Sequence, residues 1–256
     1  MSVEIGPSPE RLVKSAQRVR DLGEVFTPAD TVNAMLDLLP HEMWNVHPSP
    51  TFLEPACGDG NFLVEIFARK LKRITSEFKA GRLPAGEEVK AARFHALEAL
   101  ASIYAVDISP ENVFGGTPGH EIGARQRLLD ELQRWHKATM SEPLPKARVL
   151  YRCAEWIVAR NVQVGNMLAN DANGCPTGRD KLPLMEYRWT ARGLRLSVSA
   201  TTLGAVMIEN ETAERDTLDL FGPPTPTFVW EGPATSLYKA EADTVIVLPA
   251  GQKVTT

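Results

Sequence analysis

The stretch that decides the fold is residues 51–69, TFLEPACGDGNFLVEIFAR. It opens with a short apolar run and then turns through Pro55-Ala56-Cys57-Gly58-Asp59-Gly60. After the turn, apolar residues recur at helical spacing: Phe62, Leu63, Ile66 and Phe67. The pattern predicts a strand, a glycine turn and a helix. This arrangement brings backbone N–H groups and a helix N-terminus close to a ligand, and side chains at the two glycines would block that approach.

The glycine turn resembles the first motif of S-adenosylmethionine-dependent DNA methyltransferases that modify exocyclic amines, especially the N6-adenine enzymes. In that family a pattern close to (D/E)-P-A-C-G-x-G-x-F-L follows the first strand. Residues 54–63, EPACGDGNFL, match it almost throughout, whereas Gly-x-Gly alone would be a weak signal because many tight turns carry it. The resemblance implies S-adenosylmethionine as the cofactor. The residues that it places at the cofactor are Glu54, Pro55, Ala56, Cys57, Gly58 and Gly60.

A second element of the resemblance precedes the strand. Residues 25–28, VFTP, place Thr27 where it can cap a helix whose first residue is Pro28. The same methyltransferases carry a V-x-T-P segment whose threonine helps to hold the methionine end of the cofactor. A helix cap and a cofactor contact are compatible, and we expect Thr27 to make both.

The acid Asp107 ends the next apolar strand, which is predicted over residues 102–107. In a doubly wound sheet an acid at this place commonly accepts hydrogen bonds from ribose hydroxyls, and the competing interpretation is that it caps the following turn. A helix predicted over residues 87–101 explains why it follows Gly58 by more than the roughly 20 residues of a minimal dinucleotide fold. Residues 103–110 resemble the second methyltransferase motif. The resemblance implies that Asp107 binds the ribose and that Ile108 contacts the adenine ring.

A short strand is predicted over residues 161–166, NVQVGN, and it ends at Gly-Asn. Its position resembles the third methyltransferase motif, where a polar side chain meets the adenine of the cofactor. The resemblance therefore implies Asn166 as a cofactor residue. A plain turn at the strand end is the competing interpretation, because Gly-Asn is ordinary turn chemistry.

The catalytic motif of the family, (D/N/S)-P-P-(Y/F/W), is missing from this chain. In those enzymes the polar side chain and a backbone carbonyl accept hydrogen bonds from the target amino group, and the aromatic ring stacks on the flipped base. The only Pro-Pro pair, Pro223-Pro224, is flanked by Gly222 and Thr225, which supply neither the polar acceptor nor the ring. We therefore interpret that stretch as a linker.

The candidate replacement for the missing motif is residues 183–189, PLMEYRW, which follow the third motif. If the chain is catalytic alone, Glu186 would accept from the amino group and Tyr187 or Trp189 would stack on the base. Strand alternation limits this hypothesis, because Tyr187 and Trp189 share one face of a strand while Glu186 lies on the other.

Composition and charge set the broader limits. The chain has 256 residues, of which 43% are apolar, enough for one sizeable domain. No apolar run approaches membrane-spanning length, and the N-terminus lacks the apolar core of a secretory signal. The three cysteines have no C-x-x-C spacing, so neither a zinc site nor a disulfide framework is indicated. These features predict a cytoplasmic protein without a metal or a membrane contact.

The net charge of −4 does not favour nucleic-acid binding, because a free-standing DNA binder more often carries a basic surplus. Local basic clusters exist, and most clusters of this kind are solvated faces. The one nearest the candidate catalytic segment would hold phosphates if the chain binds DNA. It consists of Arg188, Arg192 and Arg195.

The expected fold is α/β: a doubly wound, mostly parallel sheet with the Rossmann-like methyltransferase architecture over residues 1–215. A C-terminal β-hairpin is predicted around residues 191–193. The Pro-rich tail, residues 216–256, is expected to be irregular or an appended edge element.

The resemblance covers about residues 20–170, the cofactor half, and implies an N6-adenine DNA methyltransferase of a restriction–modification or mobile-element kind. DNA is then the expected partner, with a protein partner if target recognition or catalytic residues come from elsewhere. The alternative is a non-catalytic cofactor-binding subunit that regulates or completes a DNA-modification system. A third candidate is a methyltransferase that acts on a protein or a small molecule.

Overall fold

The computed structural model describes seven stretches of the chain, and every structural statement below concerns them. They are residues 26–117, 121–167, 182–190, 194–204, 227–240, 246–247 and 253–254. A helix predicted over residues 9–22 and most of one predicted over residues 202–214 lie outside these stretches. So does the third cysteine, Cys175.

A parallel sheet of three strands forms the centre of the fold, in the spatial order β1-β2-β3. The strands are β1 (Phe52–Glu54), β2 (Ile103–Asp107) and β3 (Val162–Val164). Phe52 pairs with Ile103 and Ala105 pairs with Val162. Because all three strands run the same way, their carboxyl ends meet at one edge of the sheet.

Helices precede the sheet and connect its strands. They are α1 (Ala29–Leu36), a 3-10 turn (His41–Trp44), α2 (Asn61–Lys79), α3 (Glu88–Ala101), α4 (Pro110–Phe114), α5 (Ala124–Met140) and α6 (Val149–Asn161). Their apolar stripes form the core. In α2, for example, Leu63, Phe67 and Leu71 recur at helical spacing and are at most 1% exposed.

A second, antiparallel sheet follows, with the order β4-β5-β6. Its strands are β4 (Pro183–Thr190), β5 (Arg195–Thr202) and β6 (Thr227–Pro233), and β4 pairs with β5 as the predicted hairpin. A 3-10 helix, Ala234–Lys239, continues from β6 and packs on α6, where the Trp156 Nε1 donates to the Ala240 carbonyl at 3.3 Å. Two-residue strands, β7 (Ile246–Val247) and β8 (Lys253–Val254), pair with each other.

The tail predicted to be irregular or an edge element therefore supplies an ordered edge strand, β6. The α/β class is confirmed, with a parallel sheet and a separate antiparallel one. The doubly wound arrangement stays a prediction, since within the described stretches β1 pairs with β2 alone. A doubly wound sheet would continue beyond β1. No helix among the described residues is long and apolar enough to cross a membrane.

Candidate functional site

The glycine loop, residues 55–60, lies at the carboxyl end of β1 and leads directly into α2. Gly58 and Gly60 have φ angles of 54° and 93°, in the left-handed region that favours glycine. A Cβ atom at Gly60 would lie 3.0 Å from the Ala124 Cβ, and one at Gly58 would lie 3.1 Å from the Phe26 ring. The backbone conformation therefore favours glycine at both positions, and the close neighbours add to that preference.

Two acids at the ends of β1 and β2 hold the glycine loop in place. The Asp107 Oδ2 accepts from the Gly58 N–H at 2.8 Å, and the Glu54 Oε1 accepts from the Ala56 N–H at 3.2 Å. The backbone reinforces this link, since the Cys57 N–H donates to the Val106 carbonyl at 3.0 Å. The loop is therefore fixed to the carboxyl edge of the sheet by charge-assisted hydrogen bonds.

Asp107 makes the contacts of a turn cap as well as the contact to the loop. Its Oδ1 accepts from the Ser109 N–H at 2.8 Å and from the Asn112 Nδ2 at 3.0 Å. The residue is buried, with 7% exposure. An ionised carboxylate offers about four acceptor sites, so three donors leave room for one more. The structure thus shows the turn-capping interpretation, and the ribose contact stays a prediction.

The N-terminus of α2 directly follows the glycine loop at the same edge. Gly60 is its N-cap residue, and within the described stretches no side chain makes a capping hydrogen bond there. The first N–H groups of a helix lack intrahelical partners and carry partial positive charge. Such a terminus attracts a carboxylate or another anionic group of a ligand.

Arg127 of α5 is a site residue that the sequence analysis missed. It contacts the Asp59 carbonyl at 2.9 Å, the Asp59 carboxylate at 2.9 Å and the Asn61 Oδ1 at 2.9 Å. The guanidinium therefore joins the tip of the glycine loop to the first residue of α2. In the sequence, Asp59 between the two glycines indicates that a cationic side chain lies nearby. No pattern in the residues around Arg127 shows that it is this partner.

Thr27 contacts the start of α2 through its backbone, and its predicted contact with the cofactor stays a prediction. The Asn61 Nδ2 donates to the Thr27 carbonyl at 3.0 Å. The prediction that Thr27 caps α1 is wrong, because Pro28 occupies the N-cap position and α1 begins at Ala29. Phe26, also missed by the sequence analysis, places its ring against Gly58.

Ile108 and Asn166 lie beside Asp107 at the same edge. Ile108 follows Asp107 and is 54% exposed. Asn166 is exposed and follows Gly165, whose N–H donates to the Asp107 carbonyl at 2.9 Å. The structure therefore brings both candidates for adenine contact to the edge that holds the glycine loop.

Cys57 and Pro55 complete the loop without an evident chemical role. Pro55 is exposed. The Cys57 thiol is buried, and burial followed by the charges of Asp107 and Glu54 raises its pKa far above the ordinary value. A thiol held neutral in this way is a poor nucleophile. Cys57 therefore fills space beneath the loop.

The candidate catalytic side chains lie elsewhere. The Tyr187 hydroxyl donates to the Asn161 Oδ1 at 2.8 Å, and the Asn161 side chain in turn donates to the carbonyls of Ala101 and Ile103, at the amino end of β2. Burial raises the pKa of Tyr187, and the Trp189 ring packs edge-on against Phe94 of α3 at 5.2 Å.

The predicted alternation along β4 is seen, because the rings of Tyr187 and Trp189 stack on one face, 6.3 Å apart. Glu186 and Tyr187 line one groove with Thr51 and Leu53, near the start of β1. The contacts of residues 186–189 are thus at the amino ends of the strands, whereas the glycine loop is at the carboxyl ends. Of the neighbouring arginines, Arg195 pairs with Glu231 at 3.3 Å.

Comparisons of the chain with protein-family models, curated proteins and solved structures find no match. What supports a ligand at the carboxyl edge is the geometry described above. Two left-handed glycines, a helix N-terminus with no side-chain cap among the described residues and an exposed apolar side chain lie beside a buried carboxylate. This combination suits a ligand with an anionic end, polar hydroxyls and a flat apolar ring.

Proposed function

We propose that the chain binds S-adenosylmethionine at the carboxyl edge of β1 and β2 as the cofactor-binding component of an N6-adenine DNA methyltransferase. The observation that carries the proposal is the glycine loop. Its two left-handed glycines lead into a helix without a side-chain cap, and Asp107 holds the loop by the Gly58 N–H. The order of the three motifs along the chain supports the identity of the cofactor.

The residues at this edge suit the parts of the cofactor in turn. The N-terminus of α2 and the neighbouring Thr27 would hold the carboxylate of the methionine end, because partial positive charge collects there. Asp107 would accept one hydrogen bond from a ribose hydroxyl with its remaining acceptor site. Ile108 and Asn166 would contact the adenine ring by packing and hydrogen bonding. When bound, the cofactor supplies an electrophilic methyl group.

The catalytic groups are proposed to come from a partner chain. The (D/N/S)-P-P-(Y/F/W) motif is missing, and Tyr187 and Trp189 are partly buried rings that pack against the core at the amino ends of the strands. The net charge of −4 also favours delegation of DNA binding to another subunit. Solitary catalysis by Glu186, Tyr187 and Trp189 therefore has no geometric support, and the non-catalytic subunit becomes the favoured form of the proposal.

Calorimetry with S-adenosylmethionine tests the cofactor site. The wild-type chain should bind, and Gly58→Val should not, because a side chain there enters the loop and strains its backbone. Gly86→Val is the matched control: Gly86 also has a positive φ, 80°, but a Cβ there meets no atom within 4 Å. In either variant, the left-handed backbone conformation of valine lowers the free energy of unfolding by about 1–2 kcal/mol. Absence of binding by the wild type, or equal binding by the wild type and Gly58→Val, would refute the proposal.

Transfer of a labelled methyl group tests whether the chain methylates a substrate without a partner chain. The chain alone, incubated with labelled cofactor and a mixture of DNA, RNA and protein, should label none of them. Labelled DNA would show that the chain is a complete DNA methyltransferase. Labelled protein would favour the third class of function named above.

A further inference from the structure

A second cluster of side chains lies at the opposite end of the parallel strands. It consists of His47, in the connection that precedes β1, and His95 and Glu98, both on α3. His95 and Glu98 are three positions apart on the helix, a spacing that places their side chains on one face. The fold brings His47 to that face although it is 51 positions from Glu98.

The three side chains direct their ligating atoms at one another. The His47 Nδ1 is 2.7 Å from the Glu98 Oε1 and 2.9 Å from the Oε2, and the His95 Nδ1 is 3.2 Å from the Oε2. All three ligating atoms lie within 4.8 Å of one another. Tetrahedral zinc with bonds of about 2.0–2.1 Å separates its nitrogen and oxygen ligands by roughly 3.3 Å. A small outward movement of His47 would therefore make room for a zinc ion between the three ligating atoms.

The carboxylate at the centre is fixed before any ion arrives. Glu98 is 3% exposed, and its Oε1 also accepts from the Ser49 N–H at 3.2 Å. Hydrogen bonds of this kind orient a metal ligand and hold its geometry. The amine of Lys70, beside the cluster, directs its Nζ to the Ser49 Oγ at 2.8 Å and the Pro50 carbonyl at 2.7 Å.

One side of the cluster is open. The His47 side chain is 34% exposed, whereas those of His95 and Glu98 are 9% and 3% exposed. An ion could therefore enter past His47. Three protein ligands leave a fourth tetrahedral position for water on that side.

We propose that His47, His95 and Glu98 form a binding site for a divalent transition-metal ion, with zinc the best match to two imidazole nitrogens and one carboxylate. Coordination through both Nδ1 atoms requires that each imidazole carry its proton on Nε2. The ion replaces the hydrogen bonds that now join the histidines to Glu98. It would fasten the connection before β1 to α3, a structural role at the end of the sheet remote from the cofactor site.

Zinc titration of chelator-treated protein, in competition with a chromophoric chelator, tests the site. The wild type should bind one equivalent. His47→Ala should weaken binding at least tenfold, since even the outer partners of metal ligands contribute ten- to a hundredfold. Because His47 is exposed, this variant should fold, and circular dichroism checks that it does. Glu98→Gln, which removes the only charged ligand, should also weaken binding.

His41→Ala is the matched control, because His41 is exposed and lies in the same connection. It should bind zinc like the wild type, and zinc should raise the melting temperature of both proteins but not of His47→Ala. Absence of zinc binding by the wild type would overturn the proposal. So would equal affinity in His47→Ala, or an equal loss in His41→Ala, which would show nonspecific surface binding. No nucleotide enters these assays, so failure here leaves the cofactor proposal intact.

Discussion

Replacement of Asp107 by alanine tests how the cofactor edge is built. The carboxylate accepts from the backbone N–H groups of Gly58 and Ser109, both at 2.8 Å, and from the Asn112 side chain at 3.0 Å. An unsatisfied buried donor costs about 1–3 kcal/mol. Loss of acceptors for two backbone groups should therefore lower the free energy of unfolding by about 2–6 kcal/mol.

That loss is a large part of the total stability of a typical domain, about 5–15 kcal/mol. Urea unfolding followed by circular dichroism should show a lower midpoint for Asp107→Ala with an unchanged slope. Asn112→Ala is the matched control, because it removes only the side-chain donor and leaves the Gly58 contact. It should cost clearly less than Asp107→Ala.

The same substitution should reduce S-adenosylmethionine affinity by roughly ten- to a hundredfold, equivalent to about 1.5–3 kcal/mol for a charge-assisted contact. The glycine loop would lose its hydrogen bond from Gly58 to Asp107, and the ribose hydroxyl would lose its proposed acceptor. An unchanged unfolding midpoint would refute the structural argument. An unchanged affinity in a folded variant would show that Asp107 is only a turn cap.

Three further predictions concern other parts of the fold. Arg127→Gln should weaken cofactor binding and leave the fold intact, because the guanidinium joins Asp59 to Asn61; calorimetry beside a circular dichroism spectrum checks both, and unchanged affinity would contradict the argument. Trp189→Ala should destabilise the protein by less than the about 3–5 kcal/mol of a fully buried ring, because Trp189 is partly buried against the core, and it should leave cofactor affinity unchanged. A specific loss of affinity in urea-stable protein would contradict the placement of that ring away from the cofactor edge. Burial lowers the pKa of Lys70 from 10.5 to about 7. Between those values the unfolded chain holds the proton and the folded chain does not, so stability should rise with pH, by at most about 1.4 kcal/mol per unit. Lys70→Met should flatten that slope in urea unfolding between pH 7 and 9, and an unchanged slope would refute this assignment.

Local patterns determined much of the architecture. The alternation and turn chemistry of residues 182–198 predicted the hairpin that β4 and β5 form. The helix predicted over residues 87–101 matches α3 to within one residue. Gly58 and Gly60 were identified because a left-handed turn before a helix is a property of a few adjacent residues. Such features depend on neighbours in the chain, so the sequence alone carries them.

The edge strand β6 could not be predicted from local sequence patterns alone. The stretch just before it, residues 223–226, is Pro-rich, which predicted an irregular tail or an edge element. Pairing with β5 decides between the two. The pairing depends on a partner strand far back in the chain, and no local periodicity encodes it.

The chemistry of the two sites was decided by tertiary structure. Strand alternation predicted that Tyr187 and Trp189 share a face, but only the contacts with Phe94 and Asn161 show that this face packs against the core. Asp107 ends its strand by sequence, yet its bond to Gly58 depends on two strands coming side by side. His47 and Glu98 form a cluster for the same reason. The packing of whole helices and strands against one another decides which side chains distant in sequence come into contact. No short stretch of the chain specifies that packing.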